Sequence, residues 1–241
     1  MILAALLLKV GGYGFLRILL PIFPNATEYF APMVIALCTM SVIFTSFATL
    51  RQVDIKRIIA YSSIAHMNIA IIGIFNLSAA SISGGVALMF GHGIVSGGLF
   101  FIVGILYERH KTKIISYYSG IVHGMPLLST FFFMFILGNI SMPSTCNFVG
   151  EFIILHEIVS SANTGCLIAM CISIFCCTIY SLVMFNRITF GLPRSGVVYK
   201  DLTQLEAYIV FVVTLYNIYY GIYPKPVIEL FETTCKYSFD L

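Results

Sequence analysis

Residues 125–158 read MPLLSTFFFMFILGNISMPSTCNFVGEFIILHEI. The run is apolar enough for a bilayer, but it is too long for one straight crossing, which takes about 20 residues. Its middle holds Ser141, Met142, Pro143, Ser144 and Thr145. Proline lacks an amide hydrogen and its ring clashes with the preceding turn, so a helix stops or kinks there. The stretch predicts a discontinuous transmembrane helix with Glu151 on its second half. A carboxylate at membrane depth is costly and usually faces a bundle interior or a wet cavity. Breaks at mid-membrane free backbone groups to line such a cavity and often hold coupling ions.

The rest of the chain agrees with a membrane reading. Of 241 residues, 59% are hydrophobic and 10% charged, and the mean hydropathy is +0.99. Soluble domains carry roughly 25% charged residues. Six further apolar runs lie at about 1–20, 31–50, 57–75, 82–106, 165–186 and 205–223. The predicted fold class is all-α: a polytopic membrane protein of about seven transmembrane helices, one of them broken. No basic segment precedes the first run, so no cleavable signal is evident. The net charge of +3 does not suggest nucleic acid. The seven cysteines form no C-x-x-C pair and fall mostly in apolar runs. They read as small buried hydrophobes rather than metal ligands or disulfides.

The loops alternate in charge. Loops 51–57 (RQVDIKR), 107–113 (YERHKTK) and 187–204 carry three Lys or Arg each, whereas loops 21–30, 76–82 and 159–164 carry none. Nine of the 13 basic residues thus fall on one face. The positive-inside rule makes that face cytoplasmic or matrix. The N-terminus is then inside and the tail after the last span outside, which excludes a seven-span receptor despite Glu108-Arg109-His110 at an inner helix end.

Ionisable groups inside the spans are the candidate functional residues. Lys9, in LLLKVGGYG, sits near mid-helix, where a lysine costs about 2.5–3.5 kcal/mol on insertion scales. The alternative is snorkelling to an interface. His92, in FGHGIVSGGLF, can change protonation near neutral pH, or can be a neutral, hydrogen-bonded histidine. His66, in AYSSIAHMN, reads more as a packed histidine that Ser62 and Ser63 can satisfy. Glu151 needs a distant partner, since its helical neighbours are Asn147, Phe148, Ile154 and Leu155. Lys56 opens a helix behind Asp54, a good N-cap, and reads as an anchor or a relay member. His110 and Lys111 form an inner collar or a proton port. His156 and Glu157 read as an interfacial pair, and Arg17 with Glu28 as structural. No nucleotide loop, metal-ligand cluster or catalytic triad is present in the sequence, which favours proton movement over bond chemistry.

Four segments carry a specific resemblance: LLLKVGGYGFLR (6–17), RQVDIKRIIAYSSIAHMN (51–68), HGIVSGGLFFIVGILYERHKT (92–112) and NISMPSTCNFVGEFIIL (139–155). They resemble the chain 4 antiporter-like subunits of mitochondrial NADH:ubiquinone oxidoreductase (respiratory complex I), a family related to Mrp-type sodium/proton antiporters. The likeness runs in order from residue 1 to about 190; the last span matches only loosely. That family has fourteen helices in two inverted five-helix repeats. The resemblance implies that this chain is the second half. Residues 1–30 would be the linking eighth helix and outer loop, 31–190 the second repeat, and 191–241 the final span and outer-face tail.

The resemblance implies a proton relay of Lys9, His92 and Glu151, with Lys56, His66, His110 and Lys111 as secondary candidates. Lys9 would link two half-channels, His92 would sit on the central polar axis, and Glu151 would gate the outer face. It further implies a membrane-arm subunit that translocates protons in the mitochondrial inner membrane, N-terminus to the matrix. No cofactor, metal or redox step is expected in this chain. Its partners would be other membrane-arm subunits, lipids and a separate chain carrying the absent first half, and the Met1 start favours such a split subunit. An Mrp-type antiporter subunit and a non-pumping membrane-arm subunit are the alternatives. The family's LPGT at the break reads Met142-Pro143-Ser144-Thr145 here, and Lys111 stands where many members have histidine.

Overall fold

The computed structural model describes residues 2–193 and 200–229. Arg194, Cys235, Lys236 and the tail from 230 onward lie outside the described residues. The chain is a bundle of helices: α1 (3–22), α2 (Pro24–Leu50), α3 (Ile55–Phe75), α4 (Ala79–His110), α5 (Pro126–Asn139), α6 (Cys146–Ser160), α7 (Thr164–Thr189) and α8 (Gln204–Ile222). Six of these are long and apolar enough to cross a membrane. The shorter α5 and α6 complete a seventh passage as the two halves of the predicted discontinuous helix. The chain is a multi-pass membrane protein, with seven passages among the described residues, as its apolar runs imply.

One boundary differs from expectation. The loop predicted over 21–30 shrinks to a bend at Phe23, and α2 is helical from Pro24. A proline at the first helical position loses nothing, because its missing N–H would have no intrahelical partner there. Wide π-turns at Leu3–Leu7 and Phe15–Leu19 interrupt α1. No ion pair joins Arg17 to Glu28 among the described residues.

The break is closed by the neighbouring helices. Ending α5 at Asn139 and restarting at Cys146 frees backbone groups that lipid could not satisfy. The Cys177 thiol of α7 bonds the Asn139 carbonyl at 3.2 Å. The Asn217 side-chain oxygen of α8 accepts the Cys146 N–H at 3.2 Å. Within the break, Ser141 and Ser144 adopt φ of 60° and 75°, a left-handed region that suits glycine and strains other residues.

The loops 51–57, 107–113 and 187–204 meet on one face. The Ile55 N–H donates to the Lys113 carbonyl at 2.9 Å, the Ile115 N–H to Val53 at 3.0 Å, and the Gly120 N–H to Phe190 at 3.2 Å. Arg109 bonds Glu206 at 2.7 Å and the Lys200 carbonyl. Glu206 also accepts from the Thr203 N–H in a capping box, so one carboxylate ties α4 to the start of α8. The clustering of the basic loops was legible in the sequence. The Arg109–Glu206 pair that holds them was not.

Two apolar cores result. The one nearer the basic face includes Ile55, Leu99, Leu106, Phe132 and Ile188. The other includes Val42, Ile72, Leu88, Met89 and Ile154. Along α3, α4 and α7 the switch from one core to the other occurs at buried polar residues: Ser62, Ser63 and His66, then His92, then Ser173. A polar layer therefore crosses the bundle between two apolar ones.

Candidate functional site

The polar layer is centred on Glu151. Its side chain is about 4% exposed, and its Oε1 lies 2.8 Å from Nδ1 of His66, itself about 5% exposed. The distant partner that Glu151 requires is thus a histidine of α3. Ser62 and Ser63 do not satisfy His66, because both hydroxyls donate to the Ile59 carbonyl of their own helix at 2.9 Å. Gly150 makes the approach possible: a side-chain carbon there would strike the Leu88 backbone, so α6 lies directly on α4 beside the carboxylate. Close helix approach at small residues is common in membranes.

His92 of α4 adjoins His66, with ring centroids 5.1 Å apart and an edge-on angle of 79°. The Lys9 side chain lies against Gly93, one residue beyond His92. Lys9, Gly93 and Gly97 line a largely apolar cleft of about 640 Å³ between α1, α4 and α8. The order across the bundle is therefore Lys9, His92, His66, Glu151. The side chains of His92, Ser96 and Asn147 are buried, and their polar atoms have no hydrogen-bond partner among the described residues.

The other face of His66 meets a second polar group. Its Nε2 is 3.7 Å from the Cys177 sulfur, which accepts the Tyr180 hydroxyl at 3.1 Å. Asn139 Nδ2 reaches the same sulfur at 3.6 Å and the Ser181 hydroxyl at 3.0 Å. Cys177 is thus a hydrogen-bonding node rather than only a small hydrophobe. A thiol in an apolar run gives no sequence signal for this role.

The remaining candidates sit elsewhere. Lys56 lies 4.3 Å above the Tyr107 ring at the basic face, about 15 Å along α3 from His66 at 1.5 Å per residue. His110 packs edge-on against Tyr118 at 5.4 Å, roughly 27 Å along α4 from His92 by the same rise. Lys111 is exposed and ends α4 in a left-handed conformation with φ of 55°. Asp54 occupies the N-cap of α3 without a side-chain cap bond and pairs with Arg57 at 3.1 Å instead. His156 and Glu157 are 3.7 Å apart, and Glu157 also accepts the Ser78 hydroxyl at 2.8 Å. Among the described residues, no group of three His, Cys, Asp or Glu could hold a metal ion.

The chain is similar to known proteins over most of its length. Residues 1–178 match the family model of the NADH:quinone oxidoreductase/Mrp antiporter transmembrane region. The chain is 44% identical over 237 residues to NADH-ubiquinone oxidoreductase chain 4 of Marchantia polymorpha, covering 97% of this chain and 47% of that protein. The corresponding chain 4 of Triticum aestivum is also 44% identical, with the same coverage. The chain spans about half the length of the curated relatives it matches. A chain of respiratory complex I from Thermus thermophilus with bound NADH superposes with a TM-score of 0.84 at 27% identity, covering 93% of this chain and 49% of that one. The Mrp complex from Dietzia sp. shares the fold, with a TM-score of 0.81 at 13% identity over 88% of this chain and 48% of that one.

Proposed function

Because the chain belongs to the NADH:quinone oxidoreductase/Mrp antiporter transmembrane family, we propose that it is the second half of a complex I membrane-arm subunit and carries protons. The observation that supports this reading most directly is the buried His66–Glu151 contact, with His92 against it and Lys9 beyond. A histidine and a carboxylate 2.8 Å apart share one proton, and either can hold it while the other hands it on. The His92 ring packs edge-on against His66, and since neither of its nitrogens has a hydrogen-bond partner among the described residues, the exchange reaches it through bridging water. The unpartnered polar atoms of His92, Ser96 and Asn147 are groups that water can bridge, since buried polar groups are normally hydrogen-bonded to protein or ordered water.

In this reading Lys9 receives the electrostatic signal from electron transfer elsewhere in the complex and passes a proton along His92, His66 and Glu151. The chain itself performs no redox step. Residues 1–30 link to the first half of the subunit, 31–190 form the second repeat, and the segment from 191 adds the final span. The basic face is the matrix side of the mitochondrial inner membrane, which puts the N-terminus in the matrix and the far end of α8 in the intermembrane space. The similarity to the 44% identical chain 4 relatives favours this over an Mrp-type subunit, whose likeness at 13% identity concerns fold alone.

Glu151→Gln tests the proposal. It removes the ionisable group and keeps the volume, so proton pumping by the purified complex in vesicles should fall sharply while the amount of assembled complex is unchanged. Wild-type pumping in that variant would defeat the reading.

A further inference from the structure

His66 has two ring nitrogens, and only Nδ1 faces Glu151. The other looks toward α7. From Nε2 the contacts run to Cys177 at 3.7 Å and from Cys177 to the Tyr180 hydroxyl at 3.1 Å. Cys177 and Tyr180 are both nearly fully buried. Tyr180 in turn forms part of the wall of a cavity of about 160 Å³ between α2, α3 and α7. Thr49 and Arg187, near the basic ends of α2 and α7, and Gln52 of the loop after α2 also line it. Apolar side chains such as Leu50, Ile58 and Met184 complete its wall; a space of that volume has room for several water molecules, held by its polar groups. It is separate from the apolar cleft beside Lys9.

We propose that Tyr180 and Cys177 form a second proton branch, which joins this basic-face cavity to His66 and Glu151 without passing through Lys9 or His92. The proposal rests on the proton-carrying role of Glu151 given above. The thiol hydrogen has two acceptors within reach, the Asn139 carbonyl at 3.2 Å and His66 Nε2 at 3.7 Å. With the hydrogen on the Asn139 side the branch is open-circuited; turned to His66 it is continuous. In the transfer, Tyr180 takes one proton from cavity water as its own passes to the sulfur, and the thiol proton passes to Nε2. His66 then releases its Nδ1 proton to Glu151. One proton leaves the cavity and one reaches the carboxyl, while Tyr180, Cys177 and His66 keep their composition. Asn139 ends α5 at the break, so the thiol that closes the broken helix also selects whether the branch conducts.

The test compares Tyr180→Phe, Cys177→Ala and Cys177→Ser with Glu151→Gln in the assembled complex in vesicles, measuring pumping rate per assembled complex. Tyr180→Phe removes one hydroxyl and leaves the Cys177–Asn139 closure untouched. Tyr180→Phe and Cys177→Ala are each expected to slow pumping about tenfold, which corresponds to about 1.4 kcal/mol on the limiting barrier. Cys177→Ser keeps a donor and acceptor and is expected to pump near the wild-type rate. Wild-type pumping by Tyr180→Phe beside a slowed Glu151→Gln overturns the branch and leaves the relay standing. Less assembled complex with unchanged pumping per complex also overturns it, since the role would then be structural. Wild-type pumping by all four variants, Glu151→Gln included, overturns the proposed function itself.

Discussion

At the scale of single residues, His66 carries the most consequence. It touches Glu151 through one nitrogen and Cys177 through the other, and its ring packs on His92. His66→Ala leaves a buried carboxyl without its partner. Breaking a buried pair by removing one member typically costs about 3 kcal/mol, so thermal unfolding of the purified complex should shift down. Pumping should fall as far as in Glu151→Gln. The double variant should pump no worse than the poorer single, because groups acting as one unit are non-additive. Additive losses would separate the two residues functionally. The cost of a charge in lipid marks Glu151 and Lys9 as candidates in the sequence. His66 ranked there only as a secondary candidate, since a histidine one turn after two serines looks satisfied. Only the position of α6 shows that those serines bond their own helix instead.

At the scale of elements, the break between α5 and α6 organises the bundle. It was readable from Pro143 and from the length of the run. What satisfies it was not readable, because the partners are 31 residues or more beyond it in sequence: Cys177 and Asn217. Asn217 is buried in a span that resembles the family only loosely, yet it accepts the first free N–H of α6. Asn217→Leu should destabilise the complex by about 1–3 kcal/mol, the cost of leaving a buried donor unsatisfied. Thermal unfolding or limited proteolysis near residues 140–145 would register it. An unchanged melting profile would mean that another group takes over the Cys146 N–H.

At the scale of the whole molecule, the seven passages place the basic loops together and the uncharged turns at the opposite ends of the same helices. The hydrogen bonds between loops 51–57, 107–113 and 187–204 make this a structural fact; that the basic side faces the matrix is part of the proposal, drawn from the charge rule. Single cysteines at Lys111 and Ser161 should react with a membrane-impermeant thiol reagent from opposite sides of oriented inner-membrane vesicles, Lys111→Cys from the matrix side. Labelling of both from one side would contradict the passage count, and labelling of Lys111→Cys from the other side would reverse the orientation. The peripheral helices α1 and α8 keep apolar residues exposed, among them Leu6, Val10, Leu205 and Tyr216. Such surfaces suit lipid or neighbouring subunits.

Membrane class, number of passages, the discontinuous helix and the common face of the basic loops follow from the sequence alone. Each depends on length, hydropathy or proline chemistry, which act within a short stretch of chain. Tertiary structure alone decides which buried polar groups meet. A carboxylate, a histidine and a thiol from three helices share one site because apolar packing above and below fixes the helices in register. Sequence separation carries no trace of that register: Glu151 is 85 positions beyond His66, and Cys177 is 111 positions beyond it.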